Sequence, residues 1–242
     1  MNIVILGATG GIGQSLAKEL SSSNNLFVSS TNKKKLNNLI NNVEQDSILN
    51  KNPQKFFGSV LNVNDFESIE SFLAYGNKYL GSIDCIINCI GSLLIKPAHA
   101  TSKEEFQNIY NINVFSCFGV LKYGFKFLRE EGGSIIFFSS SAAQIGLKNH
   151  EAIASAKAAI SSLALSAASS YSKYNIRVNT IAPGLVKTPL TEKIISNKMT
   201  LDYSKNLHGL NRIGKPENII PIIQSLIDKR SDWITGQTFV VD

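Results

Sequence analysis

The first twenty residues constrain the fold of this chain most strongly. Residues 2–6, Asn-Ile-Val-Ile-Leu, form a short apolar run of the kind found in a parallel strand that is buried on both faces. A glycine-rich turn over residues 7–13 follows at once, and apolar residues then recur every fourth position over 12–20, which predicts an amphipathic helix. Glycines let a backbone approach a phosphate closely, and a helix N-terminus attracts negative charge. This stretch therefore predicts a phosphate-binding corner.

The spacing of the glycines distinguishes two nucleotide-binding motifs. Gly7, Gly11 and Gly13 read as G-x-x-x-G-x-G, whereas the fingerprint G-x-G-x-x-G would need a further glycine at Leu16. The alternative interpretation is a turn that only joins a strand to a helix. The assignment therefore depends on the rest of the chain.

Apolar runs alternate with helical patterns along the remaining sequence. Further strands are predicted at 26–30, 55–60, 83–88, 132–141, 176–184 and 233–242, and helices at 66–79 and from 101–102, 151 and 212 onward. Residues 37–55, rich in Asn, Lys and Ser, are predicted to form a weak helix and a loose surface connection. At 242 residues and 43% apolar, the chain can bury one large core. The alternation predicts a single α/β domain over 1–242, a Rossmann-type doubly wound parallel sheet with helices on both faces.

The net charge of +6 has two interpretations. The lysines are spread over predicted helix surfaces, and only residues 33–35 form a run. No nucleic-acid-binding motif accompanies this charge. We therefore expect a solvated face or a site for a 2′-phosphate group, and no nucleic-acid partner.

The cysteines and the apolar runs indicate the compartment. Cys85, Cys89 and Cys117 lie in apolar surroundings and lack the spacing of a disulfide framework, a redox pair or a zinc pair, so we predict inert buried thiols and no metal site. No apolar run approaches the roughly 20 residues that span a bilayer. A targeting segment is not expected when the first strand begins at Asn2. We expect a cytoplasmic protein with no membrane partner.

Polar residues follow the later strands in a recurring pattern. The fourth strand ends in Asn88-Cys-Ile-Gly91, Asn113 lies inside the following helix, and Ser140 comes after the fifth strand. Lys157 lies in the next helix, and Pro183 to Thr188 follow the sixth strand. Together with the glycine turn, these motifs resemble the short-chain dehydrogenase/reductase family, in order and over essentially the whole chain.

The resemblance implies an oxidoreductase that transfers hydride between a nicotinamide dinucleotide and a carbonyl or alcohol substrate. Ser140 would donate a hydrogen bond to the substrate oxygen, and Asn113 would hold a water that feeds Lys157, although a surface asparagine is the alternative for Asn113. Asn88 would tie neighbouring strand backbones together, and Gly91 would leave room for the cofactor. The implied dinucleotide-binding residues are Gly7, Thr9, Gly11, Ile12, Gly13, Thr31, Asn32, Lys33, Asn62, Val63, Asn88, Gly91, Lys157, Pro183, Gly184, Val186 and Thr188.

The chain departs from the family at one catalytic position. The family carries Tyr-x-x-x-Lys, and here Lys157 is present while Ile153 occupies the tyrosine position. An isoleucine cannot exchange a proton with a substrate oxygen. Either Lys157, a water bound to Ser140, or His150, one turn before Ile153, supplies the proton, or the chain binds dinucleotides without turnover, as a sensor or a silent partner subunit. An exposed helix-cap residue is the alternative interpretation of His150.

The end of the second strand bears on the choice of cofactor. An acidic residue there would bind the ribose 2′-hydroxyl, whereas basic or small polar residues admit a 2′-phosphate. Thr31, Asn32, Lys33 and Lys34 follow this strand, without Asp or Glu. NADP(H) is therefore favoured over NAD(H), although Thr31 stands where the family most often has an arginine.

The resemblance also bears on substrate and assembly. The polar, irregular segment 190–212 occupies the place of the family's mobile substrate lid, and we expect a small-molecule carbonyl or alcohol beneath it. The family implies a homodimer or homotetramer. Small residues along the helix from 152 to 169 would allow close approach of a second helix, or would pack on the chain's own sheet; they are Ala156, Ala159, Ser162 and Ala167.

Overall fold

Parallel strands form one sheet in the part of the chain that the computed structural model describes, residues 1–49 and 54–242. The strands are β1 (Asn2–Leu6), β2 (Asn25–Ser30), β3 (Phe56–Val60), β4 (Cys85–Asn88), β5 (Gly133–Phe138), β6 (Ile176–Pro183) and β7 (Thr238–Val241). Their spatial order is β3-β2-β1-β4-β5-β6-β7. The predicted Rossmann-type parallel sheet is confirmed.

The direction of strand addition reverses beside β1. The chain adds β2 and β3 on one side of β1 and then crosses over to add β4 to β7 on the other side. The ends of β1 and β4 therefore lie side by side, with Leu6 opposite Asn88. Open α/β sheets bind their ligands in the crevice outside the carboxyl ends of the strands at such a reversal.

Helices cover both faces of the sheet, as predicted. They are α1 (Gly11–Leu20), α2 (Lys33–Leu49), α3 (Ser68–Leu80), α4 (Lys103–Tyr110), α5 (Ser116–Leu128), α6 (Glu151–Tyr171), α7 (Glu192–Ile195), α8 (Lys198–Leu207) and α9 (Ile220–Ile227). Successive side chains of a strand point to opposite faces. Ile3 and Ile5 of β1 accordingly join the apolar layer of α1, α2 and α9, while Val4 and Leu6 join that of α3, α5 and α6.

Helix α2 begins earlier than predicted. The Oδ1 atom of Asn32 accepts a hydrogen bond from the Lys35 N–H at 3.0 Å. Asparagine is a favourable N-terminal cap because it satisfies a free N–H group of the first turn. The helix therefore begins at Lys33 instead of near residue 37. The loose connection predicted after it falls partly on residues 50–53, which lie outside the described residues.

The helix predicted from 101–102 is capped as expected and then interrupted. Ser102 and Glu105 form a capping box, in which the Glu105 N–H donates to Ser102 Oγ at 3.2 Å and the Ser102 N–H donates to Glu105 Oε2 at 2.8 Å. A π-helical turn, Asn111–Phe115, separates α4 from α5. The chain remains helical from Lys103 to Leu128, so the predicted long helix is confirmed with a π turn inside it, and π turns are frequent at functional sites.

Helix α6 combines an apolar composition with packing in the core. By length and composition alone, Glu151–Tyr174 resembles a membrane-spanning helix, with a mean hydropathy of 1.3, but core helices pass the same test. Ala156 and Ala167 are buried within the chain, while Ser162 and Leu165 are exposed. The small-residue face thus packs partly on the chain's own core, as core helices do.

Candidate functional site

A cleft of about 950 Å³ opens at the carboxyl ends of the strands. It reaches from the glycine turn after β1, past the ends of β4, β5 and β6, to α7 and α8. Most of the predicted site residues line it, namely Thr9, Gly11, Ile12, Gly13, Gly91, Ser140, His150, Lys157, Pro183, Gly184, Val186 and Thr188. The fold therefore brings together segments that lie more than 170 residues apart in the chain.

The glycine turn has no room for side chains. Gly7 adopts a φ of 75°, in the left-handed region that glycine tolerates. A Cβ atom on Gly13 would lie 2.4 Å from the carbonyl oxygen of Gly7, and one on Gly11 would lie 2.5 Å from the Thr188 methyl carbon. The loop after β6 therefore closes against the start of α1.

The N-terminus of α1 is open to a ligand. The cap residue, Gly10, has no side chain to accept from the first N–H groups, and the first turn contains no acidic residue. Residues 10–13 line the cleft. Free N–H groups together with the positive end of the helix dipole bind anions. The residues present thus fit the pyrophosphate of a dinucleotide.

Asn88 is buried at the end of β4 but does not join the strands as expected. Its amide donates to Ser116 Oγ at 3.1 Å and to Cys117 Sγ at 3.3 Å, both on α5. Its Oδ1 accepts from the Ile90 N–H at 3.1 Å. The expected tie between neighbouring strand backbones was wrong: Asn88 joins β4 to a helix and shapes the turn that leads to Gly91.

Asn113 is fully buried in the π turn, which rules out the surface alternative. Its Nδ2 donates to Ser92 Oγ and to the Ile109 carbonyl, each at 2.9 Å. Its Oδ1 accepts from the Ser92 N–H at 3.3 Å. A Cβ atom on Gly91 would lie 3.3 Å from this oxygen and 3.4 Å from Lys157 Nζ, so Gly91 separates the two side chains.

Lys157 is a buried ammonium group on the wall of the cleft. Its Nζ donates to the carbonyl oxygen of Phe138 at 3.0 Å, and its own carbonyl accepts from Ser139 Oγ at 2.7 Å. Burial lowers the pKa of Lys157 from 10.5 to about 8, because the charged form is poorly solvated there. This lysine can therefore exchange a proton near neutral pH.

Ile153 lies one helical turn before Lys157 and also lines the cleft. Its side chain is 4% exposed and belongs to a small apolar cluster with Ile109 and Ala156, against which Leu93 packs. The position carries no exchangeable proton. The thiol of Cys89 also lines the cleft, but it is a poor proton donor because burial raises its pKa to about 12.

Comparison with known proteins identifies the family. A family model described as enoyl-(acyl carrier protein) reductase matches residues 7–242. A chloroplastic tropinone reductase homolog of Arabidopsis thaliana is 30% identical over 245 residues, which covers 100% of this chain and 74% of the relative. The chain belongs to the short-chain dehydrogenase/reductase family. Its members are oxidoreductases with a nucleotide-binding Rossmann fold, which confirms the resemblance at that level.

Two solved structures match essentially the whole chain. The 7α-hydroxysteroid dehydrogenase complexed with NADH and 7-oxo glycochenodeoxycholic acid has a TM-score of 0.90 at 26% identity, covering 99% of this chain and 92% of that one. ElxO with NADP bound has a TM-score of 0.88 at 24% identity, covering 100% and 96%. The chain therefore shares its fold with these two proteins.

Ser140 and His150 line the same cleft as Lys157. Ser140 is half-buried, and its Oγ accepts from the Ala142 N–H at 3.2 Å. His150 occupies the cap position of α6, and its Nδ1 lies 2.7 Å from the Lys148 carbonyl oxygen. A carbonyl only accepts, so Nδ1 carries the proton and Nε2 is the ring's acceptor. Both interpretations of His150 therefore apply, since it begins the helix and also lines the cleft.

Several residues expected to bind the adenosine half lie outside the lining of the cleft. Thr31, Asn32 and Lys33 are exposed after β2, and Asn62 is exposed after β3. Val63 is half-buried and packs against the apolar layer of α3, α5 and α6. Lys35, from the same basic run, lines the cleft instead of Lys33. Lys35 lies three residues after the Asn32 cap and on the same face of the helix, so helical spacing could have indicated Lys35 instead of Lys33.

His208 joins the end of α8 to the loop after β6, and we call this contact the histidine junction. His208 is 8% exposed. Its Nδ1 lies 2.6 Å from the Ser204 carbonyl oxygen, and its Nε2 accepts from the Leu185 N–H at 2.9 Å. Asp242 Oδ1 stands 3.1 Å from the same Nε2, and Gly184 leaves the space that both side chains occupy. No local pattern in the sequence predicted this junction.

Proposed function

We propose that this chain is a nicotinamide-dinucleotide-dependent oxidoreductase that acts on a carbonyl or alcohol substrate through a substituted proton path. The observation that carries the proposal is a single cleft that holds the open N-terminus of α1 together with Ser140, His150 and Lys157. One end of this cleft suits a pyrophosphate, and the other offers groups that donate hydrogen bonds and protons.

The dinucleotide would be held by the chain's backbone and one lysine. The N–H groups of residues 11–13 would bind the pyrophosphate, and the loop from Pro183 to Thr188 would contact the nicotinamide end. Gly91 provides space, and Lys157 is placed to bind ribose hydroxyls. When bound, the dinucleotide supplies or accepts the hydride.

The charge near β2 favours NADP(H) over NAD(H). No acidic residue follows β2 up to Lys35, and Lys35 brings a positive charge to the cleft. A lysine is a suitable partner for a 2′-phosphate. Equal affinity for NADPH and NADH in a fluorescence titration would contradict this preference.

The proton path is assigned to groups other than residue 153. Ile153 carries no exchangeable proton, whereas Lys157 has a pKa of about 8. His150 presents its Nε2 as an acceptor, and Ser140 can position a water in the same cleft. Loss of a general acid costs about 10²- to 10⁴-fold in rate, so turnover is expected to be slow.

Single-turnover oxidation of NADPH with a panel of ketones tests this function. The natural chain should oxidise NADPH with at least one ketone, and either Lys157→Ala or His150→Ala should abolish that oxidation. Ile153→Tyr should accelerate it by at least about tenfold, since it restores a proton donor. The matched control is Ile153→Val, which keeps the site apolar. No oxidation with any ketone by a protein that binds NADPH would contradict turnover.

The packing of Ile153 favours a second candidate function. Its burial against Ile109 and Ala156 makes the position part of an apolar cluster. A protein that binds the dinucleotide without turnover, as a sensor or a silent partner subunit, would have this feature. In that case NADPH binds and is not consumed, and Lys157→Ala weakens binding without any effect on rate.

We further propose a homodimer or homotetramer in a cytoplasmic setting. Ser162 and the 61%-exposed Leu165 leave part of α6 open to a second copy. Light scattering after gel filtration tests this, and a monomer at high micromolar concentration would contradict it.

A further inference from the structure

Aliphatic side chains line a large part of the cleft, which we call its apolar half. They come from the turn after β4, from the loop between β5 and α6, and from the segment that contains α7 and α8. The principal ones are Leu93, Ile95, Ile145, Leu147, Leu190 and Leu207.

Four of these side chains stand at the mouth of the cleft in contact with solvent. Ile95, Ile145, Leu190 and Leu207 are between 43% and 53% exposed. Single exposed leucines are ordinary on protein surfaces, but several that converge on one opening mark a binding site. These four belong to separate segments of the chain and face the same cavity. Their exposure therefore indicates an apolar ligand that covers them.

The interior of this half is apolar as well. Ile153 is 4% exposed within the cluster that includes Ala156, and Leu93 packs against it. Ser140 and His150 line the cleft near the end of β5 and the start of α6. The other polar residues of this half are either exposed, as Lys148, Asn149 and Tyr203 are, or already paired, because the hydroxyls of Thr200 and Ser204 donate to backbone carbonyls. A ligand that fits this distribution has a bulky hydrocarbon body and one oxygen at a single end.

We propose that the substrate class of this site is a bulky, largely apolar ketone or alcohol with a single polar group. This inference rests on the proposed function, because it concerns the same cleft. A polyol or sugar would leave its additional hydroxyl groups unpaired against Leu93, Ile145 and Leu147, which costs free energy for each group.

Binding of matched ketones tests this class without requiring turnover. The full chain, saturated with NADPH, is titrated by calorimetry with 2-decalone, cyclohexanone and dihydroxyacetone. A buried methylene contributes about fourfold in affinity, and 2-decalone has four more carbons than cyclohexanone. We expect 2-decalone to bind at least about tenfold tighter than cyclohexanone, and dihydroxyacetone to bind weakest of the three.

Two variants at the mouth of the cleft and one control variant test where 2-decalone binds. Leu190→Asn and Ile145→Asn should each weaken 2-decalone binding by about tenfold and leave NADPH affinity unchanged. The control is Leu210→Asn, since Leu210 is also exposed and does not line the cleft. This control should leave both affinities unchanged.

The outcomes separate the two proposals. If neither NADPH nor NADH binds, the proposed function fails, and the ketone comparison on the protein alone still decides the ligand class. If the dinucleotide binds but dihydroxyacetone binds as tightly as 2-decalone, the apolar class is overturned and the oxidoreductase function stands. Equal losses of 2-decalone affinity in Leu190→Asn and Leu210→Asn also overturn it.

Discussion

Burial of the Lys157 ammonium group affects both chemistry and stability. The side chain is 9% exposed, and burial lowers its pKa from 10.5 to about 8. Below pH 8 both the folded and the unfolded chain are protonated, and the folded protein bears the full cost of a buried charge. Between pH 8 and 10.5 the folded protein releases its proton first, so this cost disappears as the pH rises. Lys157 thus destabilises the fold most at and below neutral pH.

Comparison with Lys157→Met makes this cost measurable. The free energy of unfolding of the natural chain should rise relative to that of the variant by roughly 3 kcal/mol between pH 7.5 and 10.5, at about 1.4 kcal/mol per pKa unit. Other titrating groups are common to both proteins, so they cancel in the difference. Urea denaturation at four pH values provides the measurement. Parallel pH profiles of the two proteins would show that Lys157 titrates normally.

At the scale of elements, helix α1 has no side-chain cap at its N-terminus. Asparagine or aspartate at this position would stabilise the helix by a few tenths of a kcal/mol relative to Gly10. The exposed position has space for a side chain, since a Cβ atom there would meet its nearest neighbour, the Gly7 carbonyl oxygen, at 3.4 Å. The absence of a cap is therefore explained by the ligand that the free N–H groups would bind.

Substitution at Gly10 should separate stability from binding. Gly10→Asp is expected to keep or slightly raise the melting temperature and to weaken NADPH binding by more than about tenfold, because a carboxylate would repel the pyrophosphate. Gly10→Asn, the neutral isostere, should keep stability and lose less affinity. Differential scanning fluorimetry and fluorescence titration measure the two properties. Equal affinities of the two variants would place the pyrophosphate elsewhere.

At the scale of the whole molecule, His208 couples α8 to the loop that borders the cleft. Its Nε2 cannot accept from the Leu185 N–H and donate to Asp242 at the same time. With Nδ1 beside the Ser204 carbonyl oxygen, Nε2 accepts from the loop N–H of Leu185. The segment 190–207 is held to the sheet through this side chain.

Removal of this junction should loosen the segment locally. In His208→Ala, amide hydrogen exchange over 190–207 should accelerate about fivefold, the equivalent of one hydrogen bond of about 1 kcal/mol. Exchange in β1 and β5 should not change. Lys205→Ala on the same helix is the control, because the exposed Lys205–Asp202 pair contributes little. Unchanged exchange in His208→Ala would mean that other contacts hold the segment.

The parts of the structure that were predictable are those encoded locally. β1, the glycine turn and α1 follow from the spacing of neighbouring residues, and the cap at Ser102 follows from a four-residue motif. The start of α2 was missed because Asn32 stands among many asparagines, and the π turn around Asn113 leaves no mark on the hydrophobic period. His208 could not be identified, since its partners Leu185 and Asp242 lie 23 and 34 residues away and only the folded chain brings them together.

The contact of Thr188 with Gly11 has a consequence for synthesis of the protein. The glycine turn is synthesised well before the loop that contains Thr188, since the two contacting residues are 177 positions apart. A nascent chain that stops before β6 has the glycine turn without the loop that closes on it. The chain can therefore bind a nucleotide fully only after the loop has been made. A bound dinucleotide would indicate that the glycine turn and this loop are in contact.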